Sequence, residues 1–70
     1  MNDVCTYLIR LRGQVDESDL NAMSPIQMTV VRADTVATLF TIHTDQSGLI
    51  GLLRHLHGHG FVLLSVNREQ

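Results

Sequence analysis

One segment in the second half of this 70-residue chain predicts an amphipathic helix between two strands. Four leucines recur at the i, i+3, i+4, i+7 spacing of a single helical face: Leu49, Leu52, Leu53 and Leu56. Asp45 or Ser47 can cap the start of the helix, and Gly58 or Gly60 can supply the left-handed residue that ends it. The pattern therefore predicts a helix over residues 46–58.

Four runs rich in β-branched and apolar side chains predict strands. They cover residues 4–12, 26–33, 35–43 and 61–67. The second and third runs are separated by a link short enough for a hairpin, Ala33-Asp34-Thr35. Residues 14–25 favour either a short helix capped by Asp16 or Ser18, or a structured loop.

The order of these elements predicts the fold class. A strand–helix–strand crossover makes its two strands parallel and leaves room for another strand between them. We therefore expect one α+β domain over residues 1–70, of the ferredoxin-like split β-α-β type. It would have a four-stranded antiparallel sheet and one main helix. A single helix covers only part of one sheet face, so a second copy of the chain is the simplest partner for the rest.

Composition narrows the function. Apolar residues make up 44% of the chain and charged residues 17%, which favours a homo-oligomer, most simply a dimer, because apolar surface is left uncovered. The net charge of −2 and three aromatic residues do not suit nucleic-acid binding. No apolar run is long enough to span a membrane, and the single cysteine, Cys5, excludes an internal disulfide. The start of the chain lacks the basic segment of a signal peptide, so we expect a cytoplasmic protein without a cofactor.

Residues 39–67 resemble the first half of an ACT domain, a regulatory module of amino-acid metabolism. In that family, a strand leads into an Asp-x-Pro-Gly-Leu motif that opens a helix, and a glycine then leads the next strand. Here DQSGL at residues 45–49 occupies the first motif, and GFVLLSV at residues 60–66 occupies the second. Ser47 stands where the family has proline, and the motifs fall in the second half of this chain rather than the first.

The resemblance implies a non-catalytic regulatory module that binds an amino-acid-type ligand and acts as an oligomer. The implied ligand loop consists of Asp45, Gln46, Ser47, Gly48 and Leu49. Unpaired N–H groups at a helix start can hold a small anion, which is compatible with a ligand site at these residues. The same residues can instead serve only to cap the helix. The chain would then be a structural or protein-interaction module without a small ligand.

Three further patterns leave other functions open. His55 and His59 lie four residues apart and could chelate a divalent metal if the helix continued through Gly58. Arg10 and Arg12 share one strand face and Arg32 lies on another strand, so an open sheet face could contact carboxylates or phosphates. A small dimeric enzyme would need a polar pocket, for which Tyr7, His43 and Arg10 are candidates.

Overall fold

A computed structural model describes residues 4–22, 24 and 26–69 of the chain. These residues form six elements in the predicted order. The elements are β1 (Cys5–Arg12), α1 (Glu17–Ala22), β2 (Met28–Ala33), β3 (Ala37–Thr44), α2 (Gln46–Gly58) and β4 (Leu63–Glu69). Of the two alternatives for residues 14–25, the short helix is present, as α1, and the main helix has the predicted bounds.

The four strands form one sheet in the order β2-β3-β1-β4, and each neighbouring pair is antiparallel. Strands β3 and β4 are parallel to each other with β1 between them, as the crossover argument requires. The α+β fold with a four-stranded antiparallel sheet and a ferredoxin-like arrangement is thus confirmed.

Both helices contribute to a core on one face of the sheet. Alternate side chains of β1 and β3 point to this face, and leucines from α1 and α2 pack against them. The opposite face of the sheet carries no helix in the described part of the chain, and we call it the open face. The buried apolar residues of the core are Tyr7, Ile9, Leu11, Leu20, Met28, Phe40, Ile42, Leu52 and Leu56.

The end of α2 explains why β4 starts two residues later than expected. Gly60, with φ of +86°, supplies the left-handed residue. The Gly60 N–H donates to the His57 carbonyl at 3.0 Å, and the Phe61 N–H donates to the Leu56 carbonyl at 3.1 Å. This pair of bonds is a Schellman motif, and it holds Phe61 against the core instead of releasing it into the sheet.

The link between β2 and β3 covers residues 34–36, one residue later than the predicted link at residues 33–35. The Asp34 N–H donates to the Ala37 carbonyl at 3.0 Å. The Asp34 Oδ1 accepts hydrogen bonds from the N–H groups of Val36 at 2.8 Å and Ala37 at 2.9 Å. Since these bonds close the turn over residues 34–36, β3 begins at Ala37 rather than at residue 35.

Candidate functional site

The predicted ligand loop lies where β3 leads into α2. The Gly48 N–H donates to the Asp45 Oδ1 at 2.8 Å, and the Leu49 N–H donates to the Asp45 carbonyl at 3.0 Å. Both N–H groups were expected to be unpaired and open to an anion, and that expectation is wrong. Asp45 is the N-cap of α2, and its carboxylate occupies the position that a ligand anion would take.

Packing accounts for the glycine of this loop. A Cβ atom at Gly48 would collide with the Thr44 hydroxyl and would lie 3.3 Å from the Asp45 Oδ1. The side chains of Gln46 and Ser47 are exposed, whereas Leu49 is half-buried and packs against the core. The loop is therefore explained as a helix start, whether or not it also binds a ligand.

An apolar cleft of about 330 Å³ adjoins this loop. It lies between α2 and the segment that precedes β2, and Gly48 is the member of the predicted loop that lines it. The structure thus brings Gly48 to a cavity, while the other four loop residues lie outside its lining. The lining residues are Ser24, Ile26, Gly48, Gly51, Leu52 and His55.

The histidines form a pair rather than a complete metal site. The ring centroids of His55 and His59 are 4.4 Å apart, and the His59 Nδ1 lies 2.9 Å from the His55 carbonyl oxygen. His43 lies on the open face, where its Nδ1 is 3.1 Å from the Thr6 Oγ1. No group of three or more metal-ligating side chains occurs among the described residues.

The pocket considered for a small enzyme is not formed by its three candidate residues. Tyr7 is buried on the helix-covered face, whereas Arg10 and His43 lie on the open face. The sheet itself separates the phenol from the other two side chains. This grouping from sequence is therefore wrong, because residues an odd number of positions apart on a regular strand, such as Tyr7 and Arg10, point to opposite faces.

One edge of the sheet, formed by β2, is covered by side chains of α1. The Asn21 Oδ1 accepts the Met28 N–H at 2.7 Å, and the Asn21 Nδ2 donates to the Met28 carbonyl at 2.9 Å. The Val30 N–H donates to the Glu17 Oε2 at 2.9 Å. These bonds occupy backbone groups that a further strand would need, so α1 blocks strand addition at this edge.

The other edge, formed by β4, differs in two ways. Within the described residues, no side chain makes a corresponding hydrogen bond to its outer backbone. The start of this edge is also apolar and exposed: Val62, which precedes the strand, and Leu63 and Leu64, its first two residues, are 43–45% accessible. A groove of about 370 Å³ between α2 and β4 continues this apolar surface, lined by Leu53, Arg54, Leu56, His57, Phe61 and Leu63.

The open face carries a cleft of about 220 Å³ near the β2–β3 turn, and this cleft is more polar than the two cavities beside α2. Its lining residues are Arg10, Arg32, Asp34, Val36, Ala37 and Leu39. The hydrogen bonds from the N–H groups of Ala37 and Val36 lower the pKa of the Asp34 carboxyl below its usual value, and the charges of Arg32 and Arg10 act in the same direction. Asp34 is therefore an anion at neutral pH, beside two cations.

These features define a small α+β domain with a ferredoxin-like arrangement. In the described residues, side chains of α1 cover the β2 edge of the sheet, and the β4 edge has no such cover. The chain belongs to the family described as "Domain of unknown function (DUF8691)", whose sequence model matches residues 6–67. No curated protein and no solved structure matches the chain. Across its described residues, the fold has no helix with the length and apolar character needed to cross a membrane.

Sequence reasoning missed the residues that distinguish the two edges. Asn21 and Glu17 were assigned only to a short helix or loop, although their side chains bond to β2. No local pattern marks this role, because it depends on how α1 returns to the sheet. Strand alternation, by contrast, correctly placed Arg10 and Arg12 together on one face, although it did not place Arg32 there.

Proposed function

We propose that this protein is a non-catalytic module that pairs with a second copy of itself through the outer edge of β4. The observation that carries the proposal is the difference between the two sheet edges. Side chains of α1 block β2, whereas β4 has an uncovered backbone next to exposed Val62, Leu63 and Leu64. Leu64 is the extra residue of a β-bulge, so the regular edge that can serve as a template for strand addition runs from Ser65 to Glu69.

The backbone of β4 has the orientation that such pairing requires. The Arg12 N–H donates to the Val62 carbonyl at 2.9 Å, so even-numbered residues of β1 direct their backbone groups towards β4. Arg10 and Leu8 then bond to their opposite residues, Ser65 and Asn67. By alternation, the N–H and C=O groups of Val66 and Arg68 point away from the sheet.

A second copy is the occupant that best fits this edge. Two β4 strands can pair antiparallel about a two-fold axis, so that each copy offers the same surface to the other. Val62, Leu63 and Leu64 of one copy would then contact the partner copy. Stacking two open faces is a poorer alternative, because it would remove Arg10, Arg12 and Arg32 from water.

Sedimentation equilibrium tests this pairing. The wild-type chain is expected at twice its mass of 7.8 kDa. Leu64→Lys places a charge in the interface and should weaken the dimer by roughly tenfold or more. Val31→Lys is the matched control, because Val31 is an exposed valine on the blocked β2 edge. Circular dichroism verifies that both variants fold.

The result that would overturn the proposal is a monomeric wild-type chain at the concentrations used for NMR. It would equally fail if Leu64→Lys left the association unchanged, or if Val31→Lys weakened it as much. Val62→Lys provides a second test at the same edge, because Val62 precedes β4 and its substitution leaves the strand itself intact.

A second candidate function, suggested by the ACT resemblance, is regulation by an amino-acid-type ligand near residues 45–49. The supporting observation is the apolar cleft lined by Gly48 and Gly51. Since Asp45 already occupies the helix start, the ligand would present an apolar side chain to this cleft rather than its carboxylate to the loop.

A thermal-shift panel of the twenty amino acids tests this candidate. A ligand at about 100 times its dissociation constant adds about 2.7 kcal/mol to the free energy of unfolding. Gly51→Leu fills the cleft without a backbone clash and should abolish the shift. Gly58→Leu, outside the cleft, should preserve it. A flat panel would count against the ligand and favour an interaction module without one.

A further inference from the structure

We propose that the cleft around Arg10, Arg32 and Asp34 binds a small organic carboxylate that also carries a hydroxyl or ammonium group. This inference does not rest on pairing through β4, because the cleft lies on the open face near the β2–β3 turn. The cleft and α2 lie on opposite faces of the sheet.

A β-bulge in β2 creates this arrangement. The register passes from Val30 opposite Phe40 to Arg32 opposite Leu39, so Val31 is the extra residue. Without the extra residue, Arg32 would lie opposite Thr38, which is buried on the core face. The bulge therefore turns a cation that would point into the core onto the open face.

Two arginines consequently flank one leucine. Arg10 and Arg32 are both in register with Leu39, one on each neighbouring strand, and their α-carbons lie about 10 Å apart, two strand spacings. Neither guanidinium makes a hydrogen bond or salt bridge to another described residue. Their planar donor groups are therefore available to a carboxylate, which they match in geometry.

Asp34 selects among anions. Its Oδ1 is held by the N–H groups of Val36 and Ala37, which leaves Oδ2 able to accept a hydrogen bond from a ligand. The three charged groups sum to a single positive charge, which suits a monoanion better than a dianion. A hydroxyl or ammonium next to the ligand carboxylate would donate a hydrogen bond to Asp34, whereas the dianionic form of phosphate would be repelled by it.

Size and composition favour a small molecule over a nucleic acid. The cleft volume of about 220 Å³ is below the range of drug-sized ligand pockets. Tyr7 and Phe40 are buried on the helix-covered face, and Phe61 packs against the core at the end of α2. The open face therefore lacks phenylalanine or tyrosine on which nucleic-acid bases could stack.

Amide NMR titrations of the ¹⁵N-labelled protein test the proposal. The probes are lactate, L-serine, acetate, inorganic phosphate and a short single-stranded oligonucleotide, all at one ionic strength. Lactate or L-serine should shift the Ala37 and Leu39 amides in a saturable way, and both should bind more tightly than acetate or phosphate. Arg32→Gln should weaken this binding by roughly tenfold or more.

Two variants make the test specific. Arg54→Gln removes the same type of charge from α2, away from this cleft, and should leave the binding unchanged. Asp34→Asn keeps an oxygen for the turn bonds but removes the negative charge, so the preference for L-serine over acetate should shrink.

Several results would overturn the proposal. One is the absence of saturable shifts at Ala37 and Leu39 with every probe. Binding that survives Arg32→Gln would exclude this cleft, and shifts confined to Gly48 and Leu49 would place the ligand at the start of α2 instead. Phosphate or oligonucleotide binding as tight as that of lactate would refute the assigned ligand class.

Discussion

Replacing Asn21 by alanine would remove the main cover of the β2 edge. The amide side chain makes two hydrogen bonds to the Met28 backbone, of 2.7 and 2.9 Å, and a third to the Glu17 carbonyl at 3.1 Å. The third bond lies within α1 and is exposed, so it contributes little. The other two join α1 to the sheet and are partly buried.

The expected cost follows from these two bonds. A hydrogen bond of this kind contributes about 1 kcal/mol net, so Asn21→Ala should lower the free energy of unfolding by roughly 2 kcal/mol. In a domain of this size, a loss of that magnitude lowers the Tm by about 8–16 °C. Thermal and urea unfolding followed by circular dichroism would measure both, at one protein concentration because dimer formation also stabilises the fold.

Asn67→Ala is the matched control for this experiment. Asn67 is an exposed asparagine of β4 on the open face, and its side chain makes no hydrogen bond with another described residue. Its substitution should change the unfolding free energy by no more than about 0.5 kcal/mol. A change of no more than about 0.5 kcal/mol for Asn21→Ala would refute this role of the Asn21 side chain. Exposure of the β2 edge should also produce species larger than a dimer in sedimentation velocity.

Two further predictions concern the turns. Gly60→Ala should lower the free energy of unfolding by about 1–2 kcal/mol, because alanine must adopt the left-handed conformation there. Gly58→Ala, in regular helix, should leave the free energy of unfolding unchanged or raise it by up to about 1 kcal/mol. Urea denaturation would compare the two variants, and an equal effect at both sites would contradict the assignment of Gly60 as the cap residue. The Asp34 carboxyl has a lowered pKa in the folded state, so it stabilises the fold above its unfolded pKa, and this contribution is lost as the pH falls through the folded pKa. The difference in stability between the wild type and Asp34→Asn should therefore shrink in acid, and a difference that stayed constant with pH would exclude this role.

The elements that the sequence predicted well are those fixed by neighbouring residues. The bounds of α2 follow from the Asp45 cap, the leucine stripe and a glycine just past the end, all within one continuous segment. The core face of β1 follows from strict alternation of side chains. The parallel orientation of β3 and β4, with another strand between them, then follows from the crossover rule, which depends on element order alone.

The features that the sequence did not reveal depend on contacts between distant segments. Asn21 bonds to a residue seven positions away, and Glu17 to one thirteen positions away. Likewise, Arg32 reaches the open face only because β2 has a bulge, and nothing in its local pattern marks the extra residue. At residues 45–49 the prediction was wrong for a local reason: the N–H groups of Gly48 and Leu49, which were expected to be free, donate to Asp45.

Amide hydrogen exchange along β4 is the most direct test of the proposed pairing. The Val66 and Arg68 N–H groups point away from the sheet, so they should be protected in the dimer and lose that protection on dilution. The Asn67 N–H bonds to β1 in either state and should stay protected at every concentration. Rapid exchange of Val66 and Arg68 at all concentrations, with Asn67 protected, would contradict pairing through β4.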